Sequence, residues 1–86
     1  MTREHKLKTL QAYYEMIMSG DKLFEIRYND RCFQKDDTLL LEEIYNDTKH
    51  PTGRVLKCDV TCVVTYQQKE NYVVLGIRAV ENVGRR

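Results

Sequence analysis

The run from Leu56 to Tyr66 limits the fold more than any other part of the sequence. Leu56, Cys58, Val60, Cys62, Val64 and Tyr66 fall in one phase of a two-residue repeat, and Lys57, Asp59, Thr61 and Thr65 fall in the other. Side chains alternate between faces only in an extended chain, so the pattern predicts a half-buried β-strand over 56–66. The polar stretch Gln67-Gln68-Lys69-Glu70-Asn71 follows, and then the β-branched run 72–79 (YVVLGIRA). Two strands joined by so short a turn are expected to pair antiparallel.

The rest of the chain divides in the same way. Residues 4–9 (EHKLKT) predict a short first strand. A helix follows, with Leu10, Tyr13 or Tyr14, and Ile17 at helical spacing and Gly20 where a C-terminal cap belongs. Residues 22–28 (KLFEIRY) return to a period of two, with Phe24 and Ile26 on one face and Glu25 and Arg27 on the other. Residues 29–37 read as a loop, 38–44 (TLLLEEI) as a buried strand, and Asn46 to Gly53 as a second loop containing the single Pro. The expected order is therefore β-α-β-β-β-β, one helix followed by a meander. A sheet this small protects its edges best by curling into a barrel. The expected fold class is α+β, a small mixed or antiparallel barrel with one main helix.

With 86 residues the chain is expected to be one domain, with its core over about 4–79 and a tail over 80–86 ending in Arg85-Arg86. Fourteen basic and 13 acidic residues give a net charge of +1. That balance argues against a non-specific coat on nucleic acid, but it leaves room for a local basic cleft. No segment approaches a membrane span, and the N-terminus leads into no apolar signal run, so a cytoplasmic monomer without membrane contact is expected. Three cysteines, an odd number, fit a reducing compartment better than a disulfide framework. Cys58 and Cys62 share a phase but lie about 13 Å apart along a strand, too far to share an ion, and no metal or other cofactor is expected.

The chemistry concentrates in Ser19-Gly20-Asp21-Lys22-Leu23-Phe24-Glu25-Ile26-Arg27. A helix ends, the chain turns at Gly20, and a strand presents two cations around one carboxylate. Such a set suits an anionic or amide-bearing ligand, with Arg27 offering a planar two-pronged fork. The competing reading is a surface ion network, since most charged strand residues are simply solvated.

Gly20-x-Lys22-x-x-Glu25-x-Arg27 resembles the G-x-K-x-x-E-x-R signature of the ASCH family, whose domains resemble the RNA-binding PUA domain. The resemblance extends to His5-Lys6-Leu7-Lys8, to Glu25-Ile26-Arg27-x-Asn29-Asp30-Arg31-x-Phe33 and to Tyr72-Val73-Val74-Leu75-Gly76-Ile77. It covers roughly residues 4–79 and is strongest to a compact bacterial and phage branch with no assigned function. It implies a PUA-like pseudo-barrel and a cleft between the first helix and the barrel that takes RNA or a nucleotide. Gly20, Lys22, Glu25 and Arg27 are its site residues. Some ASCH relatives are amidohydrolases of acetylated cytidine that use a Lys, a nearby Thr and a Glu. Here Glu25 stands where the hydroxyl residue would be, and a carboxylate cannot serve as that nucleophile.

Other residues join the candidate site as expectations. Arg31 and Asn29 rim the cleft on the functional reading, contacting phosphate and a base edge; the alternative is a turn using Asn29 and Asp30 for local hydrogen bonds. His5 lines the same cleft or is a hydrogen-bonded structural residue. Tyr72 or Tyr28 stacks on a base or packs at the rim. The leading expectation is an RNA- or nucleotide-binding module rather than an enzyme. The alternatives are a hydrolase of a modified nucleoside and a protein-interaction accessory factor.

Overall fold

The computed structural model describes residues 2–83; of the tail expected over 80–86, residues 80–82 extend the last strand and 84–86 lie outside the described residues. Five strands and one helix occur in the expected order: β1 (Glu4–Leu10), α1 (Gln11–Met18), β2 (Phe24–Tyr28), β3 (Thr38–Ile44), β4 (Pro51–Val64) and β5 (Tyr72–Asn82). The strands form one sheet in the order β1-β3-β4-β5-β2, curled into a half-barrel. The pairing of β4 with β5 is antiparallel, as the alternation and turn predict.

Two features depart from the expected meander. β2 does not lie beside β3; it crosses to the far edge and pairs antiparallel with β5, Glu25 opposite Leu75 and Arg27 opposite Val73. β1 pairs with β3 in parallel, Leu7 opposite Leu41. The sheet's two edges are therefore β1 and β2, and side chains bridge the seam between them. The Arg27 guanidinium donates to the Lys8 carbonyl at 2.6 Å and Arg31 to the Lys6 carbonyl at 2.9 Å. Arg3 reaches back to the carbonyls of Arg31 and Cys32. Edge carbonyls that would otherwise invite another strand are partly satisfied in this way.

The expected strand over 56–66 is displaced toward the N-terminus. It begins at Pro51, inside the expected loop, and a tight connection closes where the Tyr45 amide meets the His50 carbonyl. A β-bulge between Val60 and Cys62 ends the alternation. Before it Leu56, Cys58 and Val60 face inward; after it Val63 packs on the core, while Cys62 and Val64 turn outward. An extra residue in one strand reverses the facing of everything beyond it. Gly76 sits opposite, where an added Cβ would lie 2.6 Å from Cys62 Sγ and 2.7 Å from Thr61 Oγ1. Tyr66 lies beyond the strand and is exposed.

Leu7, Leu39, Leu41, Leu56, Val73, Leu75 and Ile77 fill the concave face of the sheet, and Phe33 joins them from the loop. α1 adds Tyr14 and Ile17, three residues apart on one face. Its N-terminus has no side-chain cap of its own, but Asn46 Oδ1 accepts from the Ala12 amide at 3.2 Å. At the other end Gly20, at φ +86°, makes the left-handed turn that stops a helix, and the Lys22 amide donates to the Met16 carbonyl.

Candidate functional site

β2 starts directly after the helix stop, so Lys22 is tied to α1 while Glu25 and Arg27 point from the edge strand into the half-barrel. The alternation expected for 22–28 is present, but the polar face is the inner one. Lys22 and Glu25 are 9% and 5% exposed, whereas Phe24 and Ile26 are 43% and 54% exposed. Burying charges is costly unless they are paired and hydrogen-bonded, and here they are. Lys22 Nζ donates to Glu25 Oε1 at 2.7 Å and to the Phe24 carbonyl at 2.6 Å. Arg27 Nε donates to Glu25 Oε2 at 2.9 Å while its Nη2 crosses the seam to Lys8 and, at 3.4 Å, to Thr9 Oγ1. Both carboxylate oxygens are engaged, so Glu25 works as a clamp between two cations.

A cleft of about 440 Å³ opens above this triad, between the seam and the helix. Lys8, Thr9, Leu10, Tyr13, Lys22, Phe24, Glu25, Ile26 and Arg27 line it, three cations against one acid. The Lys22 ammonium lies 5.5 Å from the Tyr13 ring centre and 4.7 Å from that of Phe24, within cation–π range of both.

Of the residues expected at the site, Lys22, Glu25 and Arg27 come together here. Gly20 shapes the turn into the site. Arg31 stitches the seam farther along β1, at Lys6. Asn29 takes its turn role, its Oδ1 accepting from the Phe33 amide. Asn29 and Tyr72 line a separate polar depression with Thr65 and Lys69, and Tyr72 packs edge-on against Tyr28 with ring centres 5.5 Å apart. His5 does not line the cleft. Its Nε2 bonds Asp37 Oδ2 at 2.9 Å in the interior, and its ring meets Phe33. Burial pushes the Asp37 carboxyl up, but hydrogen bonds from His5 and from the Arg3 and Gln34 amides outweigh it and hold Asp37 below the usual carboxylate range.

Tyr13, Phe24, Lys8 and Thr9 were not among the expected site residues. Tyr13 was legible only as one of two adjacent tyrosines competing for the helix's buried face, and Lys8 joins only because β1 and β2 meet across the seam. A second charged cluster also went unread. Glu43, 1% exposed, accepts from Arg54 Nε at 2.7 Å, from Arg54 Nη2 at 2.8 Å and from the Thr52 hydroxyl. Arg54 also pairs with Glu15 of α1 and lies 4.9 Å from the Tyr14 ring centre. The Arg54 hydrogen bonds outweigh burial and hold the Glu43 carboxyl low. The Tyr14 hydroxyl, raised in pKa chiefly by burial, faces Asn82 without completing a hydrogen bond. Glu43 follows Leu39 and Leu41 in the same strand phase, which was the available signal.

The cysteines fall apart by face: Cys58 is buried, and Cys62 and Cys32 are exposed. Burial, with the charges of Glu25 and Asp59 adding to it, pushes the Cys58 thiol up to about 12, which leaves it unreactive near neutrality.

Residues 4–77 match the family model described as a domain of unknown function, DUF3850. The chain belongs to the DUF3850 family. It is also 32% identical, over 76 residues, to an uncharacterised 12.9 kDa protein of Escherichia phage P2, a match that covers 87% of this chain and 68% of the phage protein. The matched family span includes β1, α1 and β2, and thus every residue lining the cleft. Among the described residues no helix is long and apolar enough to cross a membrane.

Proposed function

We propose that this DUF3850 domain is a PUA-like module that binds RNA or a nucleotide in the cleft above Lys22, Glu25 and Arg27, and that its family is a compact relative of the ASCH domains. The observation that carries the reading is the Lys22 ammonium, buried at the floor of a cleft, held by Glu25 and the Phe24 carbonyl and flanked by two half-exposed aromatic rings. An ammonium has three donors; two are used inside the protein, and the third is left for a ligand. Lys8 and Arg27 add positive charge at the same opening. The cleft lies between the first helix and the barrel, where the G-x-K-x-x-E-x-R resemblance puts it.

Titration of a short single-stranded RNA and of free nucleotides by fluorescence anisotropy and calorimetry, at two salt concentrations, tests the reading. Binding at about micromolar or weaker affinity is expected, with a log–log salt slope of about −0.7 per phosphate contacted. Lys22→Ala should weaken all sequences alike and flatten the slope. A hydrolytic role is disfavoured, because Glu25 stands where the deacetylating relatives would have their hydroxyl nucleophile and is clamped between Lys22 and Arg27. No turnover of acetylated cytidine above a Lys22→Ala control is expected.

A protein-interaction role is the second reading, and the outer face of β2 favours it. Ile26 and Tyr28 are exposed there beside outward-facing Val64. Sedimentation of the parent against Ile26→Glu over a range of concentrations tests whether that face self-associates.

A further inference from the structure

We infer that the cleft takes one unpaired nucleobase bearing a ring carbonyl, stacked against Tyr13 and Phe24, with the Lys22 ammonium donating to that carbonyl. The inference rests on the nucleotide-binding reading above and names what enters the site. Tyr13 and Phe24 come from different elements, helix and strand, yet both line the cleft and both flank the same ammonium. Each ring is nearly half exposed, at 49% and 43%, while Tyr14 and Ile17 of the same helix are buried. The two ring centres can be no farther apart than their distances to Lys22 Nζ laid end to end. That is close enough for both rings to border a single base.

The volume is compatible: about 440 Å³ falls in the range of small-ligand sites and has room for one nucleotide. Leu10 adds to the apolar lining. The polar floor selects the edge that is read. Both Glu25 oxygens already accept from the protein, so the floor chiefly offers the remaining Lys22 donor and asks the ligand for an acceptor. Uracil, cytosine and guanine offer it a ring carbonyl, whereas adenine offers only ring nitrogens. Lys8 and Arg27 lie at the rim, where the attached phosphates would be.

The test is equilibrium binding of oligouridylate, oligoadenylate and uridine monophosphate to the parent and to Tyr13→Ala, Tyr13→Phe, Phe24→Ala and Phe24→Leu, with thermal unfolding of each variant. Stacking supports a loss of about fivefold to a hundredfold in oligouridylate affinity for each alanine variant. The salt slope should stay at the parental value, because no phosphate contact is removed. Tyr13→Phe should bind as the parent does, since the ring and not the hydroxyl is used. Phe24→Leu keeps apolar packing without a π face, so it should fold and still bind weakly. Oligouridylate should bind more tightly than oligoadenylate. If both ring positions tolerate alanine or leucine while Lys22→Ala still weakens binding, the stacked base is wrong and the cleft reading survives. If oligoadenylate binds as well or better, the carbonyl assignment is wrong. If the parent binds no RNA or nucleotide, the cleft reading falls and takes this inference with it.

Discussion

Glu25 and Glu43 are both enclosed carboxylates gripped by an arginine, and the surroundings of the two part company. Glu43 sits on β3, a strand paired on both sides, and Arg54 closes over it by reaching Glu15 and the Tyr14 ring. That cluster joins the helix to the sheet. Glu25 sits on β2, an edge strand, and its two cations line an open cleft at an unpaired seam. One arrangement uses its charges entirely within the protein; the other holds charges in place and leaves donor capacity facing outward. Buried ion clusters are weak evidence of function by themselves. What singles out the one at Glu25 is its position on the seam between α1, β1 and β2.

The comparison can be broken first on stability. Glu25→Gln should leave Lys22, 9% exposed, without its counter-charge and lower the unfolding free energy by about 3–5 kcal/mol in urea titration. A loss below about 1 kcal/mol would mean that Lys22 escapes to solvent and that the triad is loose. Glu43→Gln should cost less, about 1.5–3 kcal/mol, because the Arg54 side chain is 40% exposed and can be re-solvated. It should leave RNA affinity unchanged, and an affinity loss in a folded Glu43→Gln variant would erase the distinction between the clusters.

The strands and helix of this fold were largely legible because each follows from local periodicity. Residues 38–44 and the start of 72–79 were read at their observed positions, and Gly20 stopped the helix as expected. Three things lay outside local pattern. The bulge at Val60/Cys62 hides inside an unbroken alternation, because Cys62 and Val64 are as apolar outside as they would be inside. The partner of β2 is chosen by sheet closure, which neither its own residues nor its loops reveal. The inward orientation of Glu25 and Arg27 contradicts the usual preference for apolar residues inside; only their mutual pairing makes it affordable. The site was therefore half visible. Lys22, Glu25 and Arg27 lie within one short segment, whereas Tyr13, Lys8 and Thr9 arrive through tertiary closure.

Acid should act more gently, through Glu43 of the second cluster and through Asp37, which belongs to neither. Asp37 and Glu43 both have carboxyl pKa values held below the ordinary value near 4. A depressed acid contributes stability that is fully present above its unfolded pKa and is lost as pH falls through its folded value. Urea midpoints should therefore be flat from neutrality to about pH 5 and decline below about pH 4. His5→Gln should shrink the part of that decline due to Asp37, since His5 supplies one of the bonds that hold it low. A midpoint that rises on acidification would contradict the assignment.

The smallest effect concerns the seam. Arg27→Lys keeps the charge but loses the fork that joins Glu25 to the Lys8 carbonyl. RNA affinity should fall by up to about tenfold, or about 1.4 kcal/mol, with the protein still folded. Amide exchange along β1 and β2 should quicken while that of β3 and β4 stays unchanged. Equal quickening throughout the sheet would show that Arg27 supports the whole barrel and not the seam alone.

The most direct measurement is RNA binding by the double variant Lys22→Ala with Arg27→Ala, with folding checked by circular dichroism and thermal unfolding. The two cations are predicted to hold the ligand, so the folded double variant should lose measurable affinity for single-stranded RNA and nucleotides, while Arg54→Ala should bind as the parent does. A folded double variant that binds as tightly as the parent would show that Lys22, Glu25 and Arg27 form a structural network like the one at Glu43, with the ligand site elsewhere.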